Sequence, residues 1–319
     1  MMQAYKKKLF RRARFLTGVD EATPWEQHEH PIESCCPEAT GAGRRPIGVS
    51  HMRRMHAAQQ CLGLSDEGIE DATYDSAAIR DLVGVDPNWG AAPDAPNLTK
   101  LCRLLEAHDL ARRIFEIINA HLAAQGMMMR EGMNVDATLI AAPPSTNNEC
   151  RQRDPEMHQS KKGNDWLFGM EAHIGTDATS GLVHTLTGMA GNVADVAPAH
   201  ALLHDAETIV LADAGCQGVA QRIENKGHAV RWHVAMKRTL RKALPTTRLG
   251  HLREQLEVTK ARVRAKVEHP FHVVKNLCRH RKTRYRGLAK NTTQLFTLFG
   301  LANRVPAGRR SAVRTSRTC

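Results

Sequence analysis

The pattern of apolar and polar positions changes character once along the chain. Over residues 50–126 apolar side chains recur three and four residues apart, the period of an amphipathic helix. "SHMRRMHAAQQCLGL" predicts one helix, and "SDEGIEDATYDSAAIRDLVGV" predicts two short ones with Ser65 and Asp75 or Ser76 as N-caps. "NLTKLCRLLEAHDL" and "ARRIFEIINAHLAAQG" predict two more, the last stopped by Gly126. From residue 132 apolar runs and period-two alternation take over. "NVDATLIAA" predicts a strand, "RQRDPEMHQSKKGNDW" a charged loop, and "LFGMEAHIGTDATSGLVHTLTGMAG" two strands joined at "DATSG". "NVADVAPAHALLHD" predicts a helix, "ETIVLADAGCQG" a buried strand and glycine turn, "VAQRIENKGH" a helix and "AVRWHVAM" a strand. A long last helix is predicted from Leu252, Leu256, Val263, Val267, Phe271 and Val274, kinked at Pro270. The fold class is therefore mixed α/β, an α/β domain over residues 132–303 behind a helical domain over residues 47–126. Residues 1–46 predict a flexible basic and polar arm, and residues 304–319 a disordered tail.

Charge narrows the partners. The net charge is +12 and the sequence pI about 9.6. Such an excess points to a polyanion, and DNA or RNA is the usual one. Arg53, Arg54 and Arg80 in the short helices suggest a helix-turn-helix-like reader, against the plainer alternative of a helical bundle. The eight cysteines are scattered without a CxxC pair, and no apolar run is long enough to span a bilayer. A cytoplasmic protein with no membrane partner is expected. His28, His30, Cys35 and Cys36 lie close in sequence, but their spacing matches no familiar zinc finger, and a polar arm is the preferred reading.

Three acids stand out. Asp136 interrupts an apolar strand, where a carboxylate is costly unless a metal or cation compensates it. Asp213 ends the run "TIVLAD", at the carboxyl end of a strand where ligands collect in α/β sheets. Glu268 is the only acid in the basic stretch "RAKVEHPFHVVKNLCRHRK". Arg264 and Lys275, at helical offsets from it, would form a stripe of cation, anion, cation. Together the acids would make an oxygen cage suited to Mg²⁺ or Mn²⁺, with two ions serving phosphoryl transfer. Asp154, Asp177 and Asp195 are better explained as loop, turn and helix-start residues, although Asp195 could line the edge of the site.

The segments "VDATLIAAPPSTNN", "GMEAHIGTDATSGLVHTLTGMAGNVADV", "LADAGCQGV" and "VRAKVEHPFHVVKN" resemble the DDE transposases of bacterial insertion sequences, the insertion-sequence-5 group of the insertion-sequence-4 superfamily above all. The resemblance spans roughly residues 47–303. It implies an RNase H-like catalytic domain, a catalytic and metal-binding triad of Asp136, Asp213 and Glu268, and cleavage and 3′-OH joining of DNA ends by a homodimer in the nucleoid. Arg264, Glu268 and Lys275 match the family's Tyr–Arg–Glu–Lys pattern, whose Tyr position is Ala261 here. Arg264, Lys275, Arg279, Arg281 and Lys282, with Lys161 and Lys162, are the expected DNA contacts. Cys216 stands at an aromatic position of the family and Glu171 at a lysine position. Both departures imply weakened activity, Glu171 by repelling phosphate if it faces the groove. Two rival readings are a metal-dependent nuclease without strand transfer and a DNA-binding relic that no longer cleaves.

Overall fold

The computed structural model describes residues 10–36, 47–86, 92–129, 131–149, 151–204 and 206–315. The chain divides into two compact units, residues 1–118 with 300–319, and residues 119–299.

The first unit is helical. Its elements are α1 (Arg11–Glu21), α2 (Trp25–Glu33), α3 (Val49–Leu62), α4 (Asp66–Asp75), α5 (Ala77–Val83) and α6 (Ala95–Ala107), followed by the first part of α7 (Leu110–Ala124). Their apolar faces close on one core that includes Leu16, Val19, Met55, Ile69, Ile79, Leu98 and Leu301. Ser65 caps α4 by accepting a hydrogen bond from the Gly68 N–H, as its position before the periodic run predicts.

The flexible arm expected over residues 1–46 is helical where it is described, in α1 and α2. Polar composition misleads there because tertiary contacts hold the helices. Trp25 donates to Asp20 at 2.7 Å, and the Arg54 and Arg304 guanidiniums lie 4.6 and 5.9 Å from the Trp25 ring centre. His28 is fully buried, 2.9 Å from an Arg304 nitrogen, so it serves this packing. Burial, with Arg53 nearby, lowers the Arg304 pKa to about 9.

The arginines expected to read DNA here are otherwise engaged. Arg53 is buried, and Arg54 bonds Asp20 at 2.6 Å and the Leu82 carbonyl at 3.2 Å. Arg80 donates to the Tyr74 carbonyl.

The second unit is built on a six-stranded mixed sheet: β1 (Gly132–Ala141), β2 (His158–Lys162), β3 (Asp165–Asp177), β4 (Val183–Ala190), β5 (Ile209–Ala212) and β6 (Arg231–Val234). β1 runs antiparallel to β3 and parallel to β5, β6 extends β5 in parallel, and β2 and β4 both pair antiparallel with β3. A central strand with antiparallel neighbours on one side and parallel ones on the other is the RNase H-like arrangement.

The β3–β4 turn forms as its sequence predicts. Asp177 Oδ1 accepts the Thr179 and Ser180 N–H groups at 2.6 and 2.5 Å, and Gly181 takes φ +75°.

Three expectations between residues 151 and 228 are corrected. The charged loop contains β2, a polar strand whose backbone pairs with β3. The described region 192–204 holds a turn and a short 3₁₀ segment, Pro198–Leu202, in place of a helix. The predicted helix at 219–228 is two 3₁₀ turns.

The long last helix is segmented: α8 (Arg238–Lys242), α9 (Arg248–Arg264), a 3₁₀ turn, α10 (Glu268–His272) and a π turn at Val273–Leu277. Leu252 and Leu256, expected in the core, are about half exposed, while Glu257 is buried. Glu257 turns inward because it accepts from the Met236 N–H at 2.8 Å and pairs with Lys260 at 2.7 Å. The tail from 304 is helical as far as it is described, within α11 (Leu288–Thr315).

Candidate active site

Alternation along β1 puts Asn134, Asp136 and Thr138 on one sheet face and Val135, Ala137 and Leu139 on the other. In the parallel pairing Val135 is opposite Ala212. Continuing that register by one residue brings Asp213 alongside Asp136. Asp213 caps the turn that follows β5, its Oδ1 accepting the Gly215 N–H at 2.6 Å. Asp136 Oδ1 accepts the Ala137 N–H at 2.8 Å, and its Oδ2 lies 3.3 Å from an Arg264 nitrogen.

The helical segment carrying Glu268 is pinned over this face. Asn134 donates to the Val263 carbonyl at 3.4 Å, and Lys266 Nζ donates to the Ala178 and Thr179 carbonyls at 2.8 and 2.9 Å. Val267 then points into the core, and Glu268 opens α10 on an exposed position.

The neighbouring acids act on Asp136. The Asp136 pKa is raised, chiefly by burial. The Ala137 N–H and Arg264 oppose the rise, and Asp213 and Glu268 add to it by repulsion. The Cys216 thiol is pushed up to about 12 by burial and then by Asp213, Asp195 and Asp136.

This donor set consists of carboxylate oxygens crowded enough to repel one another, half-buried at Asp136. A hard divalent cation suits such a set, and the residues present fit one.

The cations expected on DNA are placed differently from one another. Arg264 is engaged by Asp136. The α-helical stripe from Glu268 to Lys275 does not form, because the π turn adds a residue to the repeat and shifts Lys275 off that face. Arg281 and Lys282 sit at the end of β1. The Arg281 carbonyl accepts from the Ala141 N–H at 3.2 Å, and Lys282 bridges to Ala141. The Arg281 guanidinium bonds Asn276 and the Lys275 carbonyl. Arg279 is exposed, with φ +55°. Lys161 and Lys162 lie on β2, against the far end of β3 from Asp136.

A second group was not foreseen as a group, although Asp195 was expected to be able to line the site's edge. Glu171, His173 and Asp195 each offer a ligand atom, all within 4.8 Å of one another. His173 Nε2 is 3.7 Å from Glu171, and its Nδ1 is 4.0 Å from Asp195. Glu171 is 3% exposed and pairs in register with Leu139, so its side chain is buried on the face opposite Asp136. The expectation that Glu171 repels phosphate from the groove is thereby corrected. Its period-two spacing from His173 on β3 was the available signal.

Asp195 meets the first group at Gly215. Asp195 Oδ2 and Asp213 Oδ1 both lie within about 3 Å of where a Cβ on Gly215 would stand. Cys216 packs in a buried cluster with Ala199, Ala212 and Val219.

Acids on β1, just after β5 and on a following helix lie on an RNase H-like sheet. Residues 129–304 match the family described as Transposase DDE domain, and residues 4–104 match Transposase domain (DUF772). The chain belongs to the DDE transposase family, whose partner is DNA and whose chemistry depends on divalent metal. No solved structure matches the chain. Among the described residues no helix is long and apolar enough to cross a membrane.

Proposed function

We propose that the chain is the transposase of an insertion element of the insertion-sequence-5 group. It binds the element's terminal inverted repeats, cleaves phosphodiester bonds and joins the 3′-OH ends to target DNA, acting as a homodimer. The observation that carries this reading is the convergence of Asp136, Asp213 and Glu268 from three separate elements, close enough for their charges to act on one another.

In this reading Asp136, Asp213 and Glu268 would hold two Mg²⁺ or Mn²⁺ ions. When bound, such ions activate the attacking oxygen and stabilise the leaving one. The rest is supplied by the chain. The Ala137 N–H and the Gly215 N–H hold the Asp136 and Asp213 carboxylates in fixed orientations, so they need no reorganisation during reaction. Arg264 neutralises Asp136 while the site is unloaded, which keeps a half-buried carboxylate tolerable. The exposed Arg279 and Lys282 supply positive charge for the DNA backbone.

The test uses a duplex carrying the element's end, incubated with Mn²⁺. Strand cleavage is expected from the parent protein and not from Glu268→Gln, with DNA binding retained by the variant. Cleavage that continues in excess chelator, or undiminished in Glu268→Gln, rejects the assignment.

A further inference from the structure

The hairpin formed by β2 and the start of β3 carries a side chain that the fold does not use. Trp166 is 66% exposed, whereas tryptophan is highly buried on average. It lies directly opposite Lys161 on β2, so the two side chains share a face. Two residues along β3, on that same face, Phe168 lies under the Arg153 guanidinium, 5.6 Å from its ring centre. The register continues this face to Ile174, the partner of Asp136. The hairpin thus extends the face that carries the candidate triad, over roughly 27 Å of strand at about 3.4 Å per residue.

Charge in this region is sorted. The acids Asp154 and Glu156 turn toward the start of α11, accepting the Gly287 and Leu288 N–H groups at 2.7 and 2.5 Å. Carboxylates at a helix N-terminus are favoured by its dipole. Arg151, Arg153 and Lys161 remain exposed. The same two hydrogen bonds place this segment against the end of the basic stretch that contains Arg284 and Arg286. Asp165, at the hairpin end, stays exposed, but alternation turns its side chain to the face opposite Trp166. An exposed aromatic sharing its face with cations is the composition of a surface that tracks a nucleic-acid backbone and stacks a base.

We propose that the β2–β3 hairpin is a DNA-contacting arm in which Trp166 stacks on an unstacked nucleobase while Lys161 and Arg153 hold the adjacent phosphates. The proposal deepens the transposase reading by naming where an opened strand is held.

It is tested in the Glu268→Gln background, so that binding is measured without cleavage. The probes are a fluorescein-labelled 20-nucleotide single strand and a 20-base-pair duplex. Trp166→Ala is expected to weaken single-strand binding about ten- to a hundredfold with an unchanged salt slope, and to weaken duplex binding less. Trp166→Phe keeps a π-face and recovers much of the loss. Lys161→Ala weakens both probes and lowers the single-strand salt slope by about 0.7. Single-strand binding by Trp166→Ala equal to that of its background overturns the proposal. So does an effect confined to self-association, read by sedimentation without DNA. Metal-dependent cleavage by the parent, measured alongside, tests the catalytic reading separately, and its failure leaves the binding comparison intact.

Discussion

Gly215 gives the sharpest handle on the carboxylate group. A Cβ added there stands 2.9 Å from Asp213 Oδ1 and 3.1 Å from Asp195 Oδ2, whereas ordinary contact begins near 3.4 Å. In Gly215→Ala the Asp213 oxygen must therefore withdraw by roughly 0.5 Å. It cannot do so freely, because the same oxygen accepts the Gly215 N–H at 2.6 Å, and a rotation that clears the methyl stretches that bond. A misplacement of about 1 Å costs on the order of a hundredfold in rate, so a shift of about half that should cost on the order of tenfold. Folding should not suffer. Gly215 is exposed and does not occupy the left-handed region, so a gain of up to about 1 kcal/mol through the unfolded chain offsets the strain of displacing the two carboxylates. The expected result is a variant that melts near the parent temperature, binds DNA normally and cleaves an end-bearing duplex about tenfold more slowly at saturating Mn²⁺. Cleavage at the parental rate across the whole Mn²⁺ range would refute the claim that Asp213 is a ligand held by this turn. Slower cleavage with an equally lowered melting temperature would attribute the effect to folding.

Other expectations can be checked with the same preparations. His173→Gln should leave Mn²⁺-supported cleavage within a few-fold of the parent, because the metal requirement is assigned to Asp136, Asp213 and Glu268. A loss as deep as that of Glu268→Gln would move the essential ion to Glu171, His173 and Asp195. His280 is buried and its pKa is lowered from 6.5 to about 4, by desolvation first and Arg284 second. Its neutral form is favoured by folding, so stability is full above pH 6.5 and falls as pH drops toward 4, where the native imidazole finally takes its proton. At pH 5 this linkage amounts to about 2 kcal/mol. In denaturant unfolding at pH 7.5 and 5.0, His280→Gln should show a smaller acid penalty than the parent by about that amount, and an equal penalty in both proteins rejects the linkage.

How much of this was legible in the sequence depends on whether a residue's role is local. Asp136 was legible as a candidate because an acid inside an apolar, period-two run has few structural uses, and Asp213 because it ends a buried strand. The β3–β4 turn was legible because Asp177 satisfies N–H groups only two and three residues away. β2 was not, since its stability lies in backbone pairing with β3 and its side chains are mostly polar. The helices at 11–33 were hidden for a related reason: Arg304, nearly three hundred positions from His28 and Thr23, completes their packing. Periodicity misled in α9, where Leu252 and Leu256 follow a helical repeat and yet face outward. The inward face is set by Glu257, Lys260 and the end of β6, a polar contact that no apolar count registers. The same lesson applies to Glu268. Its match to a helical stripe with Lys275 depended on an unbroken α repeat, and the turns on either side of α10 remove it. What remains beside Glu268 is a contact the repeat did not foresee, Arg264 on the strand acid Asp136. The basic stretch around Glu268 therefore divides in two, one arginine neutralising the candidate metal site and the exposed cations beyond the π turn facing solvent, where a DNA backbone can reach them.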